Sequence, residues 1–133
     1  MTMPPPIPTI DVAEAERRLR EDPAGPILLD VREPNEFVEV RAPGAVLLPT
    51  SVFMARVGEL PPDRPLLVVC HVGGRSAAVA GYLIRAGRPG VVNVAGGMDA
   101  WARAGLPIRR GPLEPGEGEF SAGRARPHDP PAV

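Results

Sequence analysis

Four short runs of apolar residues punctuate the chain: Ile27-Leu28-Leu29 running into Asp30-Val31, Ala45-Val46-Leu47-Leu48, Leu66-Leu67-Val68-Val69, and Val91-Val92-Asn93-Val94. Runs of this length, bounded by Pro and Gly, predict strands covered on both faces. Between them, apolar residues recur at helical spacing. Val12, Ala15 and Leu19 share one face, behind Asp11 as a capping residue with Glu14 three positions on, so a helix to about Glu21 is predicted. Pro34 suits the first turn of a short helix reaching about Glu39. Ser51 is expected to cap a helix that carries Phe53, Val57 and Leu60 on one face. The repeat from Ser76 to about Ala86 predicts a further helix, stopped by Gly87. Gly96-Gly97 turns into a last short helix with Trp101 as its packing anchor, ending at Gly105.

Strands alternating with helices at short intervals imply a three-layer α/β domain. Its central sheet is mostly parallel, of about five strands, with helices on both faces. The domain is expected over residues 9–110. A Pro-rich segment (1–8) precedes it, and a flexible Pro/Gly/acidic tail (111–133) follows, in which Phe120 is the one large aromatic residue.

Composition narrows the function. The chain has 133 residues, 44% of them apolar, enough for one domain with its own core. Its formal net charge of −1 argues against nucleic acid or an anionic membrane as partner. All 15 basic side chains are arginine, which removes lysine nucleophiles and Schiff bases from consideration. A single cysteine, Cys70, forms no intrachain disulfide and suits a reducing compartment. The amino terminus lacks the basic region and apolar run of a signal peptide, no stretch is long enough to span a bilayer, and a cytoplasmic location is expected. His71 and His128 have no metal-ligand spacing with other residues, so neither a metal nor another cofactor is expected.

The chemistry concentrates in Cys70-His71-Val72-Gly73-Gly74-Arg75-Ser76, between the third apolar run and the helix after it. In an open α/β sheet, ligands bind at the carboxyl ends of the strands, where Cys70 falls. Two glycines let the loop curl so that successive N–H groups point inward as an anion cup, and the helix adds its positive end. A cysteine in such a cup is expected to be largely thiolate at neutral pH, and hence a sulfur nucleophile. Arg75 is read either as a fork of donors for an anionic ligand or as a surface ion-pair residue. His71 is read as an exposed neighbour or a substrate-facing group. Asp30 and Arg32 are expected to pair at a strand end, with Glu36 in the same polar framework.

Four stretches together resemble the single-domain rhodaneses, a sulfurtransferase family. Asp30-Val31-Arg32-Glu33-Pro34-Asn35-Glu36-Phe37 is similar to the family's D-V-R-x-x-x-E-[FY] signature. Pro43-Gly44-Ala45 matches its P-G-A element. Cys70 to Ser76 resembles its active-site loop C-x-x-G-x-R-S. Gly96-Gly97-Met98-Asp99-Ala100-Trp101 with Gly105-Leu106-Pro107 resembles its terminal signature. The chain departs from the family at Arg41, where a histidine is usual, and a positive charge near the mouth of the site is expected there. Side chains around that mouth, such as His71, Val72 and Arg41, are where specificity is expected.

The resemblance implies a ping-pong cycle. Cys70 takes the outer sulfur of a thiosulfate-like anion and holds it as a persulfide, which a thiophile such as cyanide, a thiol or a protein cysteine then removes. His71, Val72, Gly73, Gly74, Arg75 and Ser76 would bind the donor, with Ser76 also capping the helix. Two alternatives stay open: a persulfide carrier or partner-binding module, and a phosphatase or arsenate reductase on the same fold. Related phosphatases resemble C-x5-R, whereas only four residues separate Cys70 from Arg75, and the shorter loop suits a single sulfur. The oligomeric state is left open.

Overall fold

The computed structural model describes residues 6–120. Five parallel strands, β1 (Thr9–Ile10), β2 (Ile27–Asp30), β3 (Val46–Leu47), β4 (Leu66–Val69) and β5 (Val91–Val94), form one sheet in the order β1-β5-β4-β2-β3. The helices are α1 (Val12–Glu21), α2 (Pro34–Glu39), α3 (Phe53–Arg56), α4 (Gly74–Arg85) and α5 (Gly97–Arg103). Every residue of β2 and β4 is buried, as a parallel sheet covered on both faces requires.

Strand periodicity of two sorts these buried residues into two cores. Leu29, Leu66, Val68, Cys70 and Val91 face Phe53 and Leu60 on one side, together with Val79, Ala80 and Leu83 of α4. Leu28, Leu67, Val69 and Val94 face Val12 and Ala15 of α1, Phe37 of α2, and Met98 and Trp101 of α5. Trp101 is 2% exposed and its indole Nε1 donates to the Pro107 carbonyl at 2.8 Å, so its polar edge is satisfied where it is buried. The three-layer α/β architecture expected from the sequence is the one observed.

Local details differ from expectation. The edge strand β1 is two residues long, too short for an apolar pattern to mark it. Asp11 caps α1 by accepting from Glu14 N at 2.8 Å, but the Glu14 side chain turns to Arg17 and Arg18 instead of closing a capping box. Ser51 caps no helix. The stretch from Thr50 to Glu59 is a short α-helix between two 3-10 turns, and the Ser51 hydroxyl donates to Glu33 at 2.7 Å. Helix α4 begins at Gly74, two residues earlier than expected, because Gly73 takes the left-handed conformation (φ 118°) at its N-cap. Ser76 is therefore inside the first turn and is not the cap.

The largest correction concerns residues 111–120, which are packed against the body rather than forming part of a free tail. Gly111 N donates to Val38 O at 2.8 Å and Leu47 N donates to Gly118 O at 2.7 Å, so the segment covers edge strand β3. Its anchor is Arg41, expected near the site mouth but 1% exposed. The Arg41 Nε donates to Glu117 Oε2 at 2.6 Å, and Nη1 donates to Gly111 O at 2.8 Å. Arg109 meets the same Glu117 carboxylate at 2.9 Å. With Arg41 also reaching the Phe37 and Val38 carbonyls, and Arg32 reaching those of Glu36 and Val40, two buried guanidinium groups satisfy the carbonyl end of α2. At the other terminus Ile7 packs on the core and Pro8 O accepts from Asn93 N. The remainder of both expected terminal segments, 1–5 and 121–133, lies outside the described residues.

Removing Glu117 would leave Arg41 buried without its carboxylate. Glu117→Ala is expected to lower the unfolding free energy by about 3 kcal/mol in urea denaturation, while Glu114→Ala, on an exposed neighbour, changes it by less than about 0.5 kcal/mol. Equal small effects from both would show that the 111–120 segment does not depend on this ion pair.

Candidate active site

The site sits at the carboxyl end of β4, the central strand. Cys70 follows Val69 directly and is 1% exposed. The chain then turns through His71 and Val72, both exposed, and enters α4 at Gly74. The turn brings the Gly73 N–H within 3.0 Å of the Cys70 sulfur, and the Ser76 hydroxyl oxygen within 3.3 Å.

Two opposing influences set the charge on this sulfur. Burial, the larger single influence, pushes the thiol up. The Ser76 hydroxyl and the backbone N–H groups of Ser76, Gly73 and Val72 pull it down, and together they prevail, so the thiol lies below its ordinary value. The result is a sulfur that ionises more readily than an ordinary thiol while shielded from bulk water.

A second helix holds the loop from behind. The first N–H groups of α5 have no partners within their own helix. Met98 N donates to Cys70 O at 2.8 Å and Asp99 N donates to His71 O at 2.9 Å. Gly97 makes this approach possible: a Cβ there would stand 2.4 Å from the Cys70 carbonyl oxygen, and its φ is 59°. The Gly-Gly pair thus serves the Cys70 loop as well as starting α5.

Asp30, Arg32 and Glu36 lie on the neighbouring β2–α2 connection. Asp30 and Arg32 are 0% and 1% exposed, and the guanidinium Nη2 donates to Asp30 Oδ2 at 2.8 Å. Glu36 takes both ends of the Arg75 fork, Nη1 to Oε1 at 2.8 Å and Nη2 to Oε2 at 2.9 Å, and accepts from Glu33 N at 3.1 Å. The fork that the sequence offers to an anionic ligand is thus engaged by Glu36, using two of the five guanidinium N–H groups. The pair's charges largely cancel, so the groups that face the Cys70 sulfur are the Ser76 hydroxyl and backbone N–H groups. Hydrogen bonding to Arg75 holds the Glu36 carboxyl down to about 2, against the opposing effect of burial.

Two residues of the site escape the sequence motifs as read there. One is Gly97 in its role beneath the loop. The other is Asn93 on β5, whose Oδ1 lies 2.6 Å from the Ser76 hydroxyl. A polar residue inside the otherwise apolar Val91–Val94 run is the signal that marks it. Arg41 makes no part of the site. An open groove at the other end of the sheet, by Pro26, Pro65 and Gly90, contains no cysteine. Among the described residues no cluster of His, Cys, Asp and Glu could hold a metal ion, and no helix is long and apolar enough to cross a membrane.

Comparison with known proteins points the same way as the motifs. The model of the Rhodanese-like domain family matches residues 11–104. A protein named sulfurtransferase from Allochromatium vinosum is 38% identical over 99 residues, covering 74% of this chain and 92% of the relative. The thiosulfate sulfurtransferase GlpE of Vibrio cholerae is 35% identical over the same length and coverage. Among solved structures, a rhodanese-related protein from Thermoplasma volcanium superposes with a TM-score of 0.68 at 30% identity, covering 77% of this chain and 97% of its own.

The Glu36–Arg75 pair yields a pH signature. Because the folded carboxyl is held at about 2 against an ordinary value of 4.5, the pair stabilises the fold fully above that ordinary value and is lost as pH falls through about 2. Arg75 is more than a third exposed, so solvent screening limits the contribution to roughly 1–2 kcal/mol at neutral pH. The stability gap between wild type and Glu36→Gln, measured by urea denaturation, is expected to shrink by more than half between pH 7 and about pH 3. A gap that stays constant over that interval would contradict the pairing.

Proposed function

The chain belongs to the rhodanese-like domain family, and from that premise we propose that it moves a sulfane sulfur from a small anionic donor such as thiosulfate to a thiophilic acceptor through a persulfide on Cys70. Sulfurtransferase activity in general is what the family match and the named relatives support. The observation that carries the finer reading is the buried Cys70 sulfur with the Gly73 N–H and the Ser76 hydroxyl converging on it.

In the first half-reaction the Cys70 thiolate attacks the outer sulfur of thiosulfate. A new S–S bond forms on the protein, the donor's S–S bond breaks, and sulfite leaves with the electron pair of that bond. The persulfide carries the single negative charge that the thiolate brought. In the second half-reaction cyanide, a thiol or a protein cysteine attacks the outer persulfide sulfur, and the Cys70 thiolate is released. With cyanide the product is thiocyanate.

Neither step needs a separate general base when the attacking group reacts as its anion, and the Ser76 hydroxyl and the loop N–H groups favour that form of Cys70 against the opposing effect of burial. The N–H groups of the loop face both anionic forms and need no reorganisation between them. His71 and Val72, exposed beside the sulfur, form the entrance. The three guanidinium N–H groups of Arg75 that Glu36 does not occupy remain for the sulfonate oxygens of the donor, beside a short loop built around one sulfur rather than a phosphate.

Steady-state assays with thiosulfate and cyanide test this reading. Wild type is expected to show ping-pong kinetics and to release thiocyanate, and Cys70→Ser to release none. Arg75→Ala is expected to raise KM for thiosulfate about tenfold while kcat stays within roughly threefold. Absence of thiocyanate from wild type, or an aryl phosphatase activity lost in Cys70→Ser, would overturn the proposal. A chain that only ferries sulfur to a partner would load from thiosulfate and release thiocyanate very slowly.

A further inference from the structure

Ser76 is fully buried and its hydroxyl has one proton for three neighbours. Asn93 Oδ1 lies at 2.6 Å, Gly73 O at 3.2 Å and the Cys70 sulfur at 3.3 Å. Gly73 O can only accept, and it already accepts from Ala77 N at 3.1 Å. The sulfur donates when it is a thiol and accepts when it is a thiolate. Asn93 is the one neighbour that can do either with no change of charge, by turning its amide over.

The arrangement in the structure fits a protonated Cys70. The S–H can donate to Ser76 Oγ, and the Ser76 proton goes to Asn93 Oδ1. Ionisation reverses the demand. The Ser76 proton must then point at the sulfur, which leaves Oγ facing an amide oxygen at 2.6 Å with no proton between them. Turning the amide over removes the clash, because Nδ2 now donates to Ser76 Oγ. The turn breaks no hydrogen bond to another described residue, since Asn93 Nδ2 makes none, and the side chain is 7% exposed.

We propose that Asn93 is a positioning residue for the Cys70 nucleophile, its amide accepting from Ser76 when the cysteine is a thiol and donating to Ser76 when it is a thiolate. The proposal rests on the reading of Cys70 as a nucleophile and adds the element that aims the Ser76 proton. The other polar groups around the sulfur cannot act this way. Arg75 on α4 is paired to Glu36 of α2, Asp30 and Arg32 at the end of β2 bond each other, and His71 and Asp99 flank the loop outside this chain of hydrogen bonds. β5 brings no charged group, and Asn93 is its only polar side chain.

The test follows the rate of Cys70 alkylation by iodoacetamide against pH, which reads the thiol–thiolate midpoint without any sulfur donor. Asn93→Leu is expected to raise the midpoint by about half a pH unit in an otherwise wild-type chain, and by almost nothing in a Ser76→Ala background. Asn93→Asp, an acceptor-only isostere that holds the Ser76 proton, is expected to raise it by about one unit, with that shift at least halved in Ser76→Ala. Shifts of equal size in the two backgrounds, or no shift from either substitution, would overturn the proposal. Should Asn93→Leu fail to fold, the Asp pair decides alone. A coupled shift in a chain that makes no thiocyanate would sustain this inference and sink the sulfur-transfer reading, and the converse result would do the opposite.

Discussion

The Gly73 N–H, 3.0 Å from the Cys70 sulfur, is the contact on which the site turns. A sulfur at the end of a buried central strand loses water, and burial by itself favours the neutral thiol. The chain offsets this by turning the backbone immediately after the strand, so that the N–H groups opening α4 face back onto the sulfur. That turn requires the left-handed Gly73, and it closes only because α5 comes close enough to hold the Cys70 and His71 carbonyls. Glycine is needed twice for one cysteine, at 73 for conformation and at 97 for space.

The surrounding framework keeps charge in order. Asp30 with Arg32, and Glu36 with Arg75, pair the ionic groups of the β2–α2 connection, so the cup around Cys70 is made of dipoles rather than net charge. Arg32 and Arg41 fill the carbonyl end of α2, and Arg41 ties that helix to residues 111–120 through Glu117. Helix α2 supplies the Glu36 that orients Arg75. The carboxy-terminal segment therefore reaches the site through one helix, though it touches no reacting atom.

Much of this was legible in the residues. The unbroken apolar runs mark four of the five strands because parallel strands are buried on both faces, and Cys70 with two glycines and an arginine at a strand end announces an anion cup. What was not legible had physical causes. Strand β1 is two residues long and owes its place to pairing with β5. Arg41 looks like a surface charge until Glu117, distant in sequence, is brought against it, and the composition of residues 111–120 resembles a solvated tail for the same reason. Ser76 reads as a helix cap, but the left-handed Gly73 moves the helix start ahead of it. Asn93 was visible as a polar residue in an apolar strand, yet only the fold pairs it with Ser76.

Sulfur transfer by this chain requires Cys70 to be a nucleophile that accepts a single sulfur atom. Intact mass spectrometry of the protein after incubation with thiosulfate and removal of excess donor tests that most directly. The expected result is a gain of one sulfur atom on wild type, lost on adding cyanide and absent from Cys70→Ser. An unchanged mass on wild type, or the same gain on Cys70→Ser, would contradict it.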